Sequence, residues 1–437
     1  MGRRVRSAVR AFLLGCAPLV CCGSLHGRKG VRRPGWDTLF KTRQRHFCAV
    51  FLGGSEGEGM TLEIPKPSLE GTQAMAPPTT RARAHWNVDR ATSLPEIWAL
   101  IAAFAGLVGA WRLTGVCRAA RAGAREYLGT MPGMVVVYGT ARIADMASNV
   151  WRLDLASLRW NTLPSLMVAR YDHACCAVRG SVAVIGGRTL VGDKVNPTAS
   201  VEVLSSRGGD APMSLPPLSC GGIDGAAAIA VGESDSAAGQ VLLLGGRDSS
   251  HVPLSTVQLV DLATGVCTQQ PQLLRRHAHP AAARLPDGRI VCAGGVGAVG
   301  LSAEVWGPPE QGAQDAAWTW TGLHTMSTAR YGGRGCVMSD GRFAVLGGMD
   351  GASVGPMSSC EALTLGDSTH WEPLPPMHDA RMHFACAAMA GCIFVAGGIG
   401  GMDSQSSEVY DEVLGRWLRL PRDLPHVGHV GMSGALR

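Results

Sequence analysis

Short runs of aliphatic residues recur along the last two-thirds of the chain, at intervals of about 50 residues. Five runs end in paired glycines, and a sixth, at 134–140, keeps only Gly139. The five lie at 181–187, 240–246, 289–295, 342–348 and 392–398. Their length and aliphatic composition predict buried strands. The terminal glycines predict a positive φ or the close approach of another backbone, which a Cβ would obstruct.

Fixed offsets connect the rest of each repeat to its glycine pair. In three units an Asp lies six residues before a Trp position, at Asp154, Asp261 and Asp411. In four units an Arg follows that position by nine or ten residues, at Arg170, Arg276, Arg330 and Arg381. The glycine pair comes 16 to 18 residues later. This constant spacing predicts one structural unit repeated six times.

The repeat resembles that of the kelch family. The shared elements are the glycine pairs, a Tyr seven residues before a Trp (Tyr410 and Trp417), and Trp160, Trp320 and Trp371 at the same place. The resemblance covers 133–437 and implies an all-β, six-bladed kelch β-propeller, with four-stranded blades around a central channel. The segment 429–436 matches the one that precedes a glycine-ended strand. The last strand is therefore expected to complete the first blade and close the wheel.

A small helical module is predicted at 91–130, ahead of the propeller at 131–437. Ser93 and Glu96 have the spacing of a capping box, and apolar residues then repeat at helical intervals. The uncharged run 97–111 has 15 residues, fewer than the ~20 that span a membrane. A pair of buried short helices is therefore expected, and no membrane partner.

This module resembles an F-box in its Leu-Pro start and in its Val-Cys-Arg triplet at 116–118. The resemblance implies contact with a Skp-family adaptor and, through it, a cullin complex. The residues that would face the adaptor are Leu94, Pro95, Ile97, Ile101, Val116 and Cys117. A plain helical cap on the propeller is the alternative.

The positive charge of the chain belongs to its first residues. Residues 1–50 hold 11 Lys and Arg and 1 Asp, whereas the remainder holds 29 Lys and Arg against 33 Asp and Glu, a balance of −4. The main body thus lacks the basic stripe of a nucleic-acid-binding protein, and no nucleic-acid partner is expected. Residues 1–90 are predicted to be a disordered extension and linker. A basic start followed by the apolar stretch 11–22 leaves a targeting peptide, an untargeted extension and a wrongly assigned start open.

The 14 cysteines contain no CxxC pair, and most lie within apolar runs. They are read as reduced, buried thiols of a cytoplasmic or nuclear protein. Metal-ligand spacing is absent, so neither a metal nor another cofactor is expected. The His277/His279 pair is only weak evidence for a metal site.

Loops at the ends of the predicted channel are the expected binding surface. The residues before each blade's opening strand would line one end, and they are Arg170, Tyr171, His173, Arg276, His277, Arg330, Tyr331, Arg381 and His383. Arginine forks suit acidic or phosphorylated peptides. Alternatively, arginines at one repeated offset simply hold the blades together.

The sequence lacks the P-loop and HExxH motifs of common enzyme classes. We therefore expect a non-enzymatic interaction platform, the substrate receptor of an SCF-type cullin–RING ubiquitin ligase. Two alternatives stay open. One is a kelch scaffold without a ligase, and the other is a secreted or organellar propeller, of which a copper oxidase is one form.

Overall fold

The structure is a computed structural model. It describes residues 92–139, 148–205, 209–231, 238–297, 299–308, 317–351, 355–366, 368–400 and 405–425, together with the backbone of 432–436. The predicted extension at 1–90 and its targeting segment lie outside these residues. The helices and strands described below belong to one compact unit, Leu94–Arg437.

Six four-stranded antiparallel sheets form the blades of a propeller. Blade 1 combines β1 (Met134–Tyr138), β2 (Val150–Asp154), β3 (Arg159–Leu163) and the last strand, β28 (Met432–Leu436). Blade 2 contains β4 (Ala174–Val178), β5 (Ser181–Ile185), β8 (Val201–Ser205) and β9 (Met213–Leu215). Blade 3 contains β10 (Ala227–Val231), β11 (Gln240–Leu244), β12 (Val257–Asp261) and β13 (Cys267–Gln270).

The other three blades follow the same order from the channel outward. Blade 4 contains β14 (Ala281–Arg284), β15 (Ile290–Ala293), β16 (Ala303–Gly307) and β17 (Thr319–Gly322). Blade 5 contains β18 (Arg334–Val337), β19 (Phe343–Leu346), β20 (Cys360–Thr364) and β21 (His370–Leu374). Blade 6 contains β23 (Ala385–Met389), β24 (Cys392–Ala396), β26 (Ser407–Asp411) and β27 (Arg416–Arg419). Two small hairpins extend blades 2 and 6, β6 (Arg188–Val191) with β7 (Lys194–Pro197), and β22 (Arg381–Met382) with β25 (Ile399–Gly400).

The sheets close into a ring, as predicted. The innermost strands contact one another in the circular order β28, β4, β10, β14, β18, β23 and back to β28. The last strand pairs with β1 in antiparallel register, Met134 opposite Leu436 and Tyr138 opposite Met432. This pairing covers the edge of β1 that would otherwise be exposed.

The paired glycines are the points at which neighbouring blades meet. In blade 5, Gly347 and Gly348 have φ of 54° and 96°. The amide of Gly348 donates to the carbonyl of Arg381, ahead of blade 6, at 2.9 Å. A Cβ on Gly347 would lie 2.5 Å from that same carbonyl oxygen. The glycines therefore supply both the left-handed backbone and the space that the neighbouring blade occupies.

Two helices precede the propeller, α1 (Pro95–Leu113) and α2 (Arg118–Gly129). Gly106, with φ of 71°, kinks α1 near its middle. The N-cap of α1 is Leu94, so the capping box expected from Ser93 and Glu96 is wrong: Ser93 lies one residue too early to occupy the cap. Pro95 takes the first helical position, where a missing N–H costs no hydrogen bond.

The helices share a hydrophobic core with blades 1 and 6. Leu107 and Leu128 are buried in one cluster with Tyr138 of blade 1 and Phe394 of blade 6. The Trp111 indole packs edge-on against Phe394, at 6.2 Å between ring centroids, and its Nε1 donates to the Leu155 carbonyl at 2.8 Å. By length and composition alone α1, at 19 residues and a mean hydropathy of 1.4, could cross a membrane. In this structure 39% of that apolar stretch is buried, on the face that packs against blades 1 and 6.

Because the backbone of the next blade lies so close to the glycine pairs, alanine should destabilise the protein more at a paired glycine than at a glycine in open space. Gly341 has φ of 88° with open space where a methyl group would stand, whereas Gly347 faces a carbonyl oxygen that would lie 2.5 Å from its Cβ. Gly341→Ala should therefore cost only the left-handed backbone, about 1–2 kcal/mol. Gly347→Ala should cost a further ~1–3 kcal/mol for overpacking. Urea unfolding of the two variants measures both values, and equal losses would contradict the interblade contact.

Candidate functional site

One end of the channel is ringed by five equivalent turns, each ahead of an innermost strand. The residues at the same place in these turns are Asp172, Gly225, His279, Gly332 and His383, ahead of blades 2 to 6. Their backbones form a chain in which each amide donates to the carbonyl of the preceding member, at 2.9, 2.8, 3.0 and 2.7 Å. We call these five residues the turn ring. Its hydrogen bonds fix the spacing of the blades at this end of the channel.

Every member of the turn ring adopts a left-handed backbone. Gly225 and Gly332 have φ of 61° and 64°, and Asp172, His279 and His383 have φ of 52°, 55° and 49°. Asp and His tolerate this region better than most side chains, although it still costs them more than it costs glycine. Side chains therefore enter the channel mouth from blades 2, 4 and 6, and glycines alternate with them.

The three side chains of the turn ring converge. The Asp172 carboxylate lies 3.9 Å from Nε2 of His279 through Oδ2, and 4.0 Å from Nδ1 of His383 through Oδ1. The two imidazoles meet edge to face, at 4.7 Å between centroids. Gly225 and Gly332 leave room for them, because a Cβ at either glycine would lie 2.7–3.2 Å from the His279 or His383 ring.

Burial sets the charge state of this cluster. It lowers the pKa of His279 to about 3 and also lowers the pKa of His383, so both imidazoles are neutral near pH 7. Burial pushes the pKa of the Asp172 carboxyl upward, but nearby positive charge, including that of the Arg247 guanidinium, outweighs this and holds it below its usual value. An ionised carboxylate thus faces two neutral imidazoles.

A narrow pocket opens beside the cluster, with room for about one water molecule. Its lining includes His173 and Arg334 as well as Asp172, His279 and His383. Burial lowers the pKa of His173 to about 3, and neither of its ring nitrogens has a hydrogen-bond partner among the described residues. Arg334 donates from Nε to the carbonyl of Phe384 at 2.7 Å.

The predicted arginines lie inside the blades. Arg330 is 2% exposed, and its Nη2 contacts Oε1 of Glu361 on β20 at 2.6 Å. Its Nη1 donates to the carbonyls of Gly347 and Ser359 at 2.8 and 3.0 Å. Arg170 with Glu202, and Arg381 with Glu408, repeat this arrangement at 2.5 and 2.7 Å. These contacts fit the structural alternative, with the difference that each arginine side chain bonds loop carbonyls and a glutamate within its own blade and does not join two blades.

Blade 4 uses a histidine where blades 2, 5 and 6 use arginine. His277 is fully buried, and its ring nitrogens lie 2.5 Å from the Gly294 carbonyl and 2.8 Å from Glu304. The neighbouring Arg276, which the repeat spacing had aligned with the arginines, is exposed. In blade 3 the corresponding positions hold Ile223 and Gln258, which have no charge to pair.

The other predicted residues stand at the channel mouth. Tyr171 and Tyr331 are half-buried, and burial raises the pKa of Tyr171. Tyr171 pairs through its backbone with Arg188, whose Nη1 lies 3.5 Å from Asp224 and 2.7 Å from Nδ1 of His251. Burial raises the pKa of Asp224 to about 6. Of the nine residues predicted to bind, His383 alone belongs to the turn ring.

Comparison with known proteins agrees with this architecture. No family model matches the chain. An F-box/kelch-repeat protein of Arabidopsis thaliana is 32% identical over 101 residues, which is 21% of this chain and 26% of the relative, so the match spans about a quarter of that protein. The solved structure of YjhT superposes with a TM-score of 0.51 at 12% identity, over 62% of this chain and 88% of the other. The chain folds as a six-bladed β-propeller, and its repeats are similar to those of kelch proteins.

The structure leaves the predicted adaptor-facing residues in different environments. Leu94 and Val116 are 44% and 53% exposed, and Cys117 is exposed as the N-cap of α2. Pro95 and Ile101 are half-buried. Ile97 is only 7% exposed, so its side chain belongs to the helical core.

Sequence reasoning missed the glutamates that pair with the buried basic residue ahead of four of the blades. They are Glu202, Glu304, Glu361 and Glu408, each the second residue of the third strand in its blade. A carboxylate at a fixed place in an otherwise apolar strand was the available signal. Sequence reasoning also left out Asp172 and His279 of the turn ring.

Blade 3 has Ile223 and Gln258 in place of the buried ion pair, and it therefore provides a natural control for the blades that have one. Glu361→Gln removes the negative charge beside Arg330, and it should cost about 3–5 kcal/mol because a buried cation is left unpaired. Adding Arg330→Ile recreates the Ile223–Gln258 arrangement and should recover at least ~1 kcal/mol. Urea unfolding of both variants measures the difference. A double variant less stable than the single one would contradict the attribution of the loss to the unpaired Arg330 charge.

Proposed function

We propose that this protein is a non-enzymatic protein-binding platform that serves a cullin–RING ubiquitin ligase as substrate receptor, in the cytoplasm or nucleus. The helices would hold a Skp-family adaptor, and the channel mouth of the propeller would hold the substrate. The protein itself would catalyse nothing, because its contribution is to raise the effective concentration of a substrate near the ligase.

One observation carries the ligase part of this proposal. Leu94 and Val116, which match the F-box pattern, present large apolar side chains to solvent while the opposite helical face is packed on blades 1 and 6. An exposed apolar side chain at a motif position is what a partner would cover. The F-box/kelch description of the Arabidopsis thaliana relative supports the same combination of modules.

The substrate part rests on the positive charge at the channel mouth. The Arg247 guanidinium lies close enough to Asp172 to lower the pKa of its carboxyl. Burial lowers the pKa of Arg334, and the nearby Asp172 carboxylate acts in the opposite direction. Arg188 stands nearby beside Tyr171. Guanidinium groups of this kind suit the carboxylates or phosphates of an acidic peptide.

Adaptor binding is tested with the full chain, because α1 and α2 share their core with the propeller. Leu94→Asp and Val116→Asp, singly and together, should reduce capture of a purified Skp-family adaptor, the double variant by at least about tenfold (~1.4 kcal/mol). Val413→Asp is the matched control, since Val413 is 72% exposed on blade 6. Surface plasmon resonance measures the affinities.

Two results would count against the ligase role. The first is a wild-type chain that does not bind the adaptor, and the second is a double variant that binds as well as Val413→Asp. A chain that fails to bind the adaptor but still captures acidic peptides would support the scaffold alternative instead.

Peptide preference at the channel mouth is tested separately. A peptide library selected on the wild-type chain should be enriched in Asp, Glu or phosphorylated residues, and selection on Arg247→Glu should lose that enrichment, because the local charge is reversed. Sequencing of the selected peptides measures this. Equal enrichment on both chains would place the binding surface elsewhere.

A further inference from the structure

The turn ring brings together three side chains whose chemistry the binding proposal does not use. Asp172, His279 and His383 have one donor atom each within 4.8 Å of the others. They come from turns that lie 104 or more residues apart in sequence, in alternate blades of the wheel, so no local structure explains their meeting. We propose that they form a binding site for a zinc ion at the channel mouth.

The kinds of donor fit zinc. Two imidazoles and one carboxylate are a common ligand set for Zn²⁺, with metal–ligand distances of about 2.0–2.2 Å. Donor atoms on a tetrahedral ion then lie roughly 3.3–3.5 Å apart. The separations from the Asp172 carboxylate are 3.9 Å from Oδ2 to His279 and 4.0 Å from Oδ1 to His383, and one donor atom from each residue lies within 4.8 Å of the others, so the site closes around an ion by small side-chain movements.

The nitrogen donors also favour zinc over harder ions. Imidazole suits Zn²⁺, whereas Mg²⁺ and Ca²⁺ are bound through oxygen ligands. Two imidazoles and one carboxylate therefore distinguish this cluster from a calcium or magnesium site.

The surroundings are built to give the donors room. A Cβ on Gly225 would lie 2.7 Å from the His279 ring, and one on Gly332 would lie 3.0 Å from the His383 ring. Around the ring, turns that carry a donor side chain therefore alternate with glycine turns. The imidazole of the next turn packs against each glycine. This alternation sends donors from blades 2, 4 and 6 toward one point.

An independent observation comes from His173, which lines the same pocket. It is 5% exposed, and neither ring nitrogen has a hydrogen-bond partner among the described residues. A buried imidazole in this state is unfavourable unless something in the pocket accepts or donates to it. Three protein donors leave a fourth zinc position for water or for an oxygen of a bound molecule, and such a group would supply that partner.

The inference revises the sequence-based expectation that no metal binds. The His277/His279 pair is divided by the fold, since His277 points to Glu304 and His279 to Asp172. The donor set also differs from that of the oxidase alternative, which requires tyrosine ligands.

The test uses the full chain, stripped with chelator and with its thiols alkylated so that Cys117, Cys220 and the other accessible cysteines cannot bind metal. Wild-type protein should take up one equivalent of Zn²⁺ by elemental analysis. Co²⁺ in place of zinc should give d–d bands without a thiolate charge-transfer band. Zinc should also raise the melting temperature, because it binds only the folded state.

The variants keep the left-handed backbone while removing donors. His279→Asn with His383→Asn should lose the equivalent of zinc and the rise in melting temperature, since Asn tolerates the same φ but has no imidazole. His324→Asn, at an exposed histidine, is the matched control and should bind like wild type. Asp172→Asn should weaken zinc binding by at least about tenfold.

The proposal is overturned if stripped wild-type protein takes up no zinc equivalent, or if the double histidine variant takes up as much as His324→Asn. The melting temperature of each zinc-free variant shows whether it is folded. If the double variant does not fold, Asp172→Asn decides the question through its affinity for Zn²⁺ and its cobalt spectrum.

Discussion

The propeller depends on one repeated contact, in which a backbone carbonyl ahead of one blade meets the paired glycines of the blade before it. Gly347 has no room for a side chain because the Arg381 carbonyl already occupies the space, and the Gly348 amide donates to that same carbonyl. Corresponding amides of Gly187, Gly246 and Gly295 donate to the next blade at 2.8, 2.7 and 2.9 Å. Because each contact positions the turn that precedes a blade, the same contact also positions the channel mouth.

The sequence could predict this framework because its signals are local. An aliphatic run, a glycine pair and the spacing to the next Trp all fall within one repeat, and each has a direct backbone meaning. The capping box failed for a related reason: Ser93 and Glu96 match a spacing, but Leu94 occupies the cap once Pro95 takes the first helical position. Local patterns of this kind predict that a helix forms, but they define the residue at which it begins only to within one or two positions.

The candidate site could be predicted only in part, because its members meet through closure of the wheel. The repeat spacing identified Arg330, but its partner Glu361 lies 31 residues away on another strand. Asp172 and His383 are more than 200 residues apart along the chain, and only the circular order of blades brings them within 4.0 Å. No spacing within a repeat carries that information, whereas the carboxylate in the third strand of blades 2, 4, 5 and 6 was visible in the sequence.

The packing of the helices on the propeller would hold the proposed adaptor site and the proposed substrate site at a fixed distance from each other. The helices lie against Phe394 of blade 6 and Leu155 of blade 1, so an adaptor held by α1 would be fixed relative to the propeller and to whatever the channel holds. A substrate receptor needs such a fixed relation, because the distance between bound substrate and ligase sets their effective concentration. A scaffold that only gathers partners does not need it.

At the channel mouth, the backbone itself separates structural from chemical roles. Any turn of the ring can be built with glycine, as Gly225 and Gly332 show, and glycine is the less costly residue at positive φ. Asp172, His279 and His383 therefore bring a backbone cost of about 1–2 kcal/mol each that the fold does not require. The buried Arg330 donates to the carbonyls of Gly347 and Ser359. The side chains of Asp172, His279 and His383 instead face one another at the channel mouth. The side chains that glycine could replace, and not the repeated arginines, are therefore the ones that the fold leaves available to bind a ligand.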